Sequence, residues 1–197
     1  MNRSLLKIID NWVPENSKVI DLGCGDGSLI TELSKSKNII GYGVEVNAEK
    51  IASCIANGVS VVQEDIDDGV ETFNGMGFDL SVMASSIQCL RNPNLALENM
   101  LNMSKKTIVT LPNFGYWKCR LGLLKGSMPI TDNLPKTWYE TNNLHLCTIK
   151  DFETLCAEEG FIINERLFLN DKGFKSIAAS TFPNTFASEG VYLLAKK

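Results

Sequence analysis

The glycine-rich segment at residues 19–27, which reads VIDLGCGDG, has the residue types and spacing that favour ligand chemistry most clearly. An apolar run leads into Gly-x-Gly-x-Gly, and a helical pattern follows it. Glycines allow a tight turn and let a ligand approach the bare backbone. The start of a helix adds unpaired N–H groups and a positive dipole, which attract a carboxylate or a phosphate. The segment therefore predicts a ligand-binding turn between a strand and a helix.

Two kinds of ligand are compatible with such a turn. A dinucleotide fingerprint, G-x-G-x-x-G/A, requires Gly or Ala at position 28, whereas the sequence has Ser28 and places its third glycine at Gly27. Asp21, two residues before Gly23, would also repel a pyrophosphate. An acidic strand end suits a cationic ligand better, and S-adenosylmethionine carries a sulfonium, an ammonium and only one carboxylate. We therefore favour S-adenosylmethionine, or S-adenosylhomocysteine, over a nicotinamide dinucleotide.

Two further acidic residues stand at intervals that suit the rest of this ligand. Glu45 lies 22 residues after Gly23, at the end of the second predicted strand, where a carboxylate can accept hydrogen bonds from both ribose hydroxyls. Asp65 ends the third predicted strand and could accept from the exocyclic amine of adenine. Cys24 lies within the loop, where its small size matters more than its reactivity. The alternative is that these carboxylates are cap and loop residues around a purely structural glycine turn.

The elements that would position these residues alternate along the first two thirds of the chain. The predicted strands are 18–22, 39–44, 59–63, 78–83 and 106–111, and the predicted helices are 28–36, 48–57 and one that begins at Pro93. Strands that alternate with helices predict parallel βαβ units and an α/β fold. Asn47, Asn92 and Thr148 are predicted N-caps, the last with Asp151 as its capping-box partner. Two late strands are predicted at 161–169 and 191–195, and residues 170–190 show no clear element.

Composition and charge narrow the classes of partner. The 197 residues are 44% hydrophobic and 21% charged, which is ordinary for a globular protein. Nineteen basic and twenty-three acidic side chains give a net charge of −4, which disfavours nucleic acid as a partner. No apolar run approaches the roughly 18 residues that span a membrane. One histidine and six scattered cysteines without a C-x-x-C pair predict reduced thiols and no metal site.

The loop and its acidic companions resemble the class I S-adenosylmethionine-dependent methyltransferases over residues 15–111. Residues 21–27, DLGCGDG, are similar to the first motif of that superfamily. The resemblance implies a Rossmann-like α/β fold: a seven-stranded, mostly parallel sheet with helices on both faces and an antiparallel final hairpin. It also implies a set of cofactor-binding residues: Asp21, Gly23, Cys24, Gly25, Gly27, Glu45 and Asp65.

The second half of the chain resembles a narrower family, the methionine-biosynthesis MetW family. The matching blocks are LPNFGYW at 111–117, Met-Pro at 128–129, Trp-Tyr at 138–139 and NLHLCTIKDF at 143–152. The likeness spans nearly the whole chain, but it departs at residues 85–90, SSIQCL, and leaves out the tail from Asn170. It implies a cytoplasmic protein of methionine biosynthesis that works beside a homoserine O-acyltransferase.

Residues 112–148, which we call the cover, interrupt the alternation of strands and helices. The segment is rich in Gly, Pro, Asn and aromatic residues, and a stretch of this length between elements is usually functional. We expect it to lie over the carboxyl ends of the strands, where open α/β sheets bind ligands. One face would touch the cofactor pocket, and the other would present Trp and Tyr side chains outward. Residues 1–197 are predicted to form a single methyltransferase-like domain that includes this cover.

The sequence identifies no catalytic residue, although His145, Tyr116 and Tyr139 are weak candidates for one. His145 is the only histidine, and an imidazole side chain can act as a general base. Arg91 and Arg120 could bind the carboxylate of a methyl acceptor, but packing or solvated roles are favoured. Two functions therefore remain open. The protein is either a partner that supports the acyltransferase or an active methyltransferase on a small-molecule acceptor.

Overall fold

A computed structural model describes residues 3–196, apart from the side chain of Glu71. The outermost residues of the predicted domain, Met1, Asn2 and Lys197, lie outside the described residues.

Seven strands form one sheet in the described part of the chain. They are β1 Lys18–Leu22, β2 Ile40–Glu45, β3 Ser60–Gln63, β4 Phe78–Ala84, β5 Ser104–Pro112, β6 Ile162–Leu169 and β7 Glu189–Ala195. The order across the sheet is β3-β2-β1-β4-β5-β7-β6. The first five strands are parallel, and β7 is antiparallel to both β5 and β6. The predicted fold class, with its antiparallel last hairpin, is confirmed.

Helices pack on both faces of this sheet because its central strands are apolar on both sides. They are α1 Arg3–Trp12, α2 Ser28–Lys37, α3 Ala48–Ala56, α4 Pro93–Met103, α5 Trp117–Leu124, α6 Ile149–Glu158, α7 Ile177–Thr181 and α8 Pro183–Phe186. One core joins α4 and α6 to the sheet through side chains such as Leu97 and Phe152. The other core joins α1 and α2 to the opposite face through Ile9 and Leu33.

Two of the predicted N-caps are confirmed by their hydrogen bonds. The Asn47 side chain accepts from the backbone N–H groups of Glu49 and Lys50, at 2.9 and 3.1 Å. Thr148 and Asp151 form a reciprocal capping box at the start of α6. These caps were predictable because each partner lies within three residues of the cap.

The predicted cap at Asn92 is wrong in one respect. Asn92 does precede Pro93 at the start of α4, but its side chain makes no capping hydrogen bond. The Asp67 carboxylate instead accepts from the backbone N–H groups of Arg91, at 2.8 Å, and Asn92, at 3.2 Å. A carboxylate from a distant turn therefore fixes the two residues that precede α4, and the Asn92 side chain caps none of the helix N–H groups.

The two segments without predicted elements contain short helices. In the cover, only α5 is regular, and an isolated bridge joins Thr131 to Leu134. In 170–190, α7 and α8 follow each other directly. These helices have four to eight residues, too few for a helical hydrophobic repeat to be recognised in the sequence.

The strand order places the predicted site. The connection from β1 runs to β2 on one side, and β4 lies on the other side of β1, so the order reverses between β1 and β4. Open α/β sheets bind ligands at the carboxyl ends of the strands beside such a reversal. The glycine loop after β1 and Ser85-Ser86 after β4 meet there.

Candidate functional site

The glycine loop adopts a backbone that only glycine accepts easily. Gly23, Gly25 and Gly27 have φ values of 79°, 60° and 75°, in the left-handed region. A Cβ atom at Gly23 would also lie 2.7 Å from the Ser86 hydroxyl oxygen. The loop therefore has both the tight turn and the close approach that its sequence predicts.

Strand β2 lies against this loop and fixes its position. The backbone N–H groups of Gly23 and Cys24 both donate to the Val44 carbonyl, at 2.8 and 3.0 Å. A Cβ atom on Gly43 would come within 2.6 Å of the Cys24 sulfur, so a glycine in the strand makes room for the loop. The position of the loop thus depends on small residues in the neighbouring strand as well as on its own glycines.

Glu45 ends β2 as predicted, and its buried carboxylate fastens the loop to the strand. Its Oε2 accepts from the backbone N–H of Gly25 at 3.0 Å. Its Oε1 accepts from the N–H groups of Val46 and Asn47, each at 3.0 Å. A carboxylate offers about four acceptor positions. The Lys50 ammonium is ion-paired with Oε2 at 3.8 Å, beyond hydrogen-bond distance, so one acceptor position on Oε2 stays open to a ligand hydroxyl.

Asp21 is the most unusual charged group of the site. It is 3% exposed, and its Oδ1 is a buried atom that accepts no hydrogen bond from any residue in 3–196. Burial, and next the negative charge of Glu45, raise the pKa of Asp21 to about 7. A buried acceptor without a donor is costly, and a cationic ligand beside it would offset that cost. The buried carboxylate of Asp21 beside the loop therefore fits S-adenosylmethionine, which carries two positive groups.

Asp65 lies near this end of the sheet but in a different setting from the one predicted. It follows β3 by two residues instead of ending it, and its Oδ1 accepts from the Asp67 N–H at 3.0 Å to cap a short turn. Its other oxygen is 3.5 Å from the Arg91 guanidinium, and the side chain is 43% exposed. Arg91 also pairs with Asp67 and Asp68, and its side chain is 59% exposed, which matches the solvated one of the two roles favoured for it.

Cys24 and Cys54 form a close pair of thiols beneath the loop, which the sequence did not reveal. Their sulfur atoms are 3.7 Å apart, and the Cys54 thiol lies 3.1 Å from the Gly25 carbonyl oxygen, to which it donates. Burial raises the pKa of both thiols, so both stay protonated and act as small packing groups. All six cysteines are free thiols, in agreement with the prediction of reduced cysteines.

The cover is tied to the ends of β4 and β5. The backbone N–H groups of Leu144 and His145 both donate to the Gln88 carbonyl, at 2.8 and 3.0 Å. At its other end, the Phe114 N–H donates to the Cys147 carbonyl at 3.0 Å. The cover therefore lies at the carboxyl edge of the sheet, where its sequence predicts it.

The aromatic side chains of the cover divide into two groups. Trp138 and Tyr139 are about 70% exposed and stack edge-to-face, with ring centroids 5.6 Å apart. Tyr116 is 4% exposed and packs with Cys119 and Leu134 in a small core of its own. The expectation of outward-facing aromatic residues is therefore met by the first pair and is wrong for Tyr116.

The structure does not bring the weak catalytic candidates together. Tyr116 is enclosed in the core of the cover, and Tyr139 is paired with Trp138 at the surface. His145 is exposed, with its Nε2 3.2 Å from the Arg91 carbonyl oxygen. No catalytic role follows from this arrangement.

Asn113 is the residue that sequence reasoning missed. It is 1% exposed, and its side-chain oxygen accepts from the N–H groups of Gly115 and Ile149, at 2.9 and 3.2 Å. Its side-chain nitrogen donates to the Ala187 carbonyl at 2.7 Å. One amide therefore joins the start of the cover to the start of α6 and to the segment before β7. The available signal was its place in the distinctive Pro-Asn-Phe-Gly block.

Among the described side chains of residues 3–196, which leave out Glu71, no group of three or more His, Cys, Asp or Glu has the geometry to hold a metal ion. None of the helices in that range has the length and apolar character to cross a membrane.

Solved structures of similar shape are methyltransferases or share their fold. An S-adenosylmethionine-dependent methyltransferase from Archaeoglobus fulgidus has a TM-score of 0.71 and 15% identity, over 98% of this chain and 92% of that chain. The [4+2]-cyclase SpnF has a TM-score of 0.68 and 13% identity, over 98% of this chain and 80% of its own. At such identities the likeness shows the fold alone, and SpnF shows that this fold also carries another named activity. The fold is that of the class I S-adenosylmethionine-dependent methyltransferases.

The family follows from the sequence comparison. The family described as "Methionine biosynthesis protein MetW" matches residues 3–194, and the chain belongs to it. The "Bifunctional methionine biosynthesis protein MetXA/MetW" of Rhodopirellula baltica is 28% identical over 198 residues, which cover 95% of this chain. The chain spans 31% of the length of that relative. The protein is thus a methyltransferase-like protein of methionine biosynthesis.

Proposed function

We propose that this protein binds S-adenosylmethionine or S-adenosylhomocysteine at the glycine loop and works as one cytoplasmic, methyltransferase-like domain. The unpartnered Oδ1 of Asp21, buried beside the loop, is the observation that carries this proposal. In the proposed complex, Asp21 and the backbone of residues 23–27, which includes Cys24, hold the methionine part. The free acceptor position of Glu45 takes a ribose hydroxyl, and Asp65 lies near the adenine.

S-adenosylmethionine supplies an electrophilic methyl group on a sulfonium when it is bound. The residues of this chain bind and orient it: the Glu45 carboxylate fixes the loop and the ribose together, and Asp21 places a negative charge beside the positive end. The cover lies at the same edge of the sheet and limits access of water. No side chain is assigned to proton transfer.

Replacing Glu45 by alanine is expected to weaken binding of S-adenosylhomocysteine by about 1 to 3 kcal/mol, because the ribose loses a charged acceptor. Isothermal titration calorimetry on protein shown to be folded by circular dichroism measures the change. Glu49→Ala is the matched control, since it removes the same charge from an exposed position just after β2. Absence of saturable binding to the wild type at millimolar ligand would contradict the proposed function.

We further propose that the protein supports a homoserine O-acyltransferase. The relative that joins MetXA and MetW in one chain supports an association of this kind. The exposed Trp138–Tyr139 pair supports it as well, since aromatic residues of this type dominate interfaces when they fill pockets on a partner. The second candidate is methyl transfer to a small molecule, and it is favoured by the fold and by a cavity beneath the cover.

Co-expression with the acyltransferase is expected to give a complex that elutes as one peak in size-exclusion chromatography. The double variant Trp138→Ser, Tyr139→Ser should weaken this complex at least about tenfold, because it removes two large apolar contacts. Ile177→Ser, at an 87% exposed position outside the cover, serves as the control. Separate elution of the wild-type proteins, with an acyltransferase that is fully active alone, would favour the methyltransferase instead.

A further inference from the structure

Residues 85–88, which we call the linking turn, lie between the glycine loop and the cover. At one end, the Ser86 side chain approaches the loop so closely that a Cβ atom at Gly23 would lie 2.7 Å from its hydroxyl oxygen. The Ser86 hydroxyl donates to the Ala84 carbonyl at 3.2 Å, which fixes the direction of this side chain. Because so little space separates the two groups, a movement of the loop at Gly23 is passed to the linking turn by direct contact.

The other end of the linking turn holds both ends of the cover. Gln88 is 3% exposed, and its carbonyl accepts the hydrogen bonds from the Leu144 and His145 N–H groups. Its side-chain nitrogen donates to the Pro112 carbonyl at 2.9 Å and to the Cys147 sulfur at 3.2 Å. These four contacts join the first residue of the cover to three residues near its end.

Two energetic costs are concentrated in the linking turn. Ser85 has a φ of 58°, in the left-handed region that few residues other than glycine adopt. The Oε1 atom of Gln88 is buried and accepts no hydrogen bond from any residue that the structure describes. Backbone strain of this kind persists only where the surroundings impose it, and it is concentrated at ligand clamps and switch regions. A second arrangement that releases Ser85 or satisfies Oε1 would offset its own cost, so the turn suits a two-state element.

We propose that a ligand at the glycine loop orders the cover through the linking turn. This inference rests on the proposed function, because it takes S-adenosylhomocysteine as the ligand of the loop. A ligand packed on residues 23–27 immobilises Gly23, and the contact with Ser86 then holds the turn in its strained arrangement. Gln88 in turn keeps both ends of the cover in place. Without the ligand the turn relaxes and the cover opens more often, so the ligand lowers the entropic cost of binding a partner to the cover.

Hydrogen exchange followed by mass spectrometry on the full chain tests this without a partner protein. Saturating S-adenosylhomocysteine is expected to slow amide exchange at least about fivefold in the peptide that contains Leu144 and His145. The peptide of β6, at the far edge of the sheet, is the internal control and should not change. If calorimetry shows saturable binding and exchange in the cover is unchanged, this inference fails and the proposed function stands. If no binding is detected at millimolar ligand, both fail.

Two substitutions interrupt the linking turn at its two ends. Gln88→Met removes the side-chain donor to both ends of the cover, and Ser86→Gly removes the side chain that contacts Gly23. Each folded variant should bind S-adenosylhomocysteine to saturation and yet lose most of the protection of the cover. Ser86 is only partly buried, so its variant keeps the test available if Gln88→Met does not fold.

Gln63→Met is the matched control for these variants. Its side-chain nitrogen donates to the Val46 carbonyl at 3.1 Å, so the same substitution removes a similar hydrogen bond outside the linking turn and the cover. This variant should keep the full protection of the cover by saturating ligand. Full protection in Ser86→Gly, or in a folded Gln88→Met protein, would overturn the proposal, and so would an equal loss in Gln63→Met.

Discussion

Replacement of Asn113 by alanine is expected to lower the free energy of unfolding by about 3 to 5 kcal/mol. The substitution removes both halves of a buried amide and leaves the Gly115 and Ile149 N–H groups and the Ala187 carbonyl without their partners. Each buried group left unsatisfied costs about 1 to 3 kcal/mol. Within residues 3–196, no other side chain is hydrogen-bonded to all three of these groups.

Urea unfolding followed by circular dichroism measures this loss. Asn133→Ala is the control within the cover: its side chain is partly buried and donates one hydrogen bond, to the Ser188 hydroxyl at 3.0 Å. That variant should lose no more than about 1 kcal/mol. A change of similar size in both variants would mean that Asn113 does not hold the three segments together.

The stability of the ligand-free protein should fall as the pH rises, and Asp21→Asn should remove about half of that dependence. The pKa of Asp21 is raised from 3.8 to about 7, so the folded state binds more protons than the unfolded state between these values. The contribution of Asp21 to the free energy of unfolding is greatest below pH 3.8 and is lost as the pH rises through 7. The loss between pH 5 and pH 8.5 is about 3 kcal/mol.

At pH 8.5, the Asp21→Asn variant should therefore be more stable than the wild type by about 3 to 4 kcal/mol, because no buried charge remains. Its affinity for S-adenosylmethionine should fall at the same time, since the negative charge beside the ligand is lost. Burial also raises the pKa of Glu189 to about 7, and its contribution to the pH dependence, which is of similar size, remains in the variant.

Urea unfolding at pH 5 and pH 8.5 on ligand-free protein tests this linkage. Asp26→Asn is the control, because hydrogen bonds from the Ser28 side chain and backbone lower the pKa of that exposed loop carboxylate instead of raising it. That control should gain no stability at high pH. Equal pH dependence in the wild type and in Asp21→Asn would show that ionisation of the Asp21 carboxyl does not destabilise the folded state.

The sequence alone determined much of the backbone framework of the site, because this framework depends on residues that are close together in the chain. The alternation of strands and helices, the glycine turn after β1, and Glu45 at the end of β2 rest on local periodicity and turn geometry. The capping box at Thr148 involves residues three apart. Such features are encoded within a few positions, so no knowledge of distant contacts is needed.

Only the tertiary structure decided which distant groups contact these residues, which side chains are buried and which pKa values are shifted. Asp67 fixes the residues before α4 from 24 positions away in the sequence, and the Cys24 and Cys54 sulfurs meet although 30 positions separate them. Tyr116 is buried while Tyr139 is exposed, although both belong to one aromatic segment. The raised pKa of Asp21 depends on its complete burial and on the charge of Glu45. Each of these features depends on groups that folding brings together from distant positions in the chain, so local sequence patterns do not predict it.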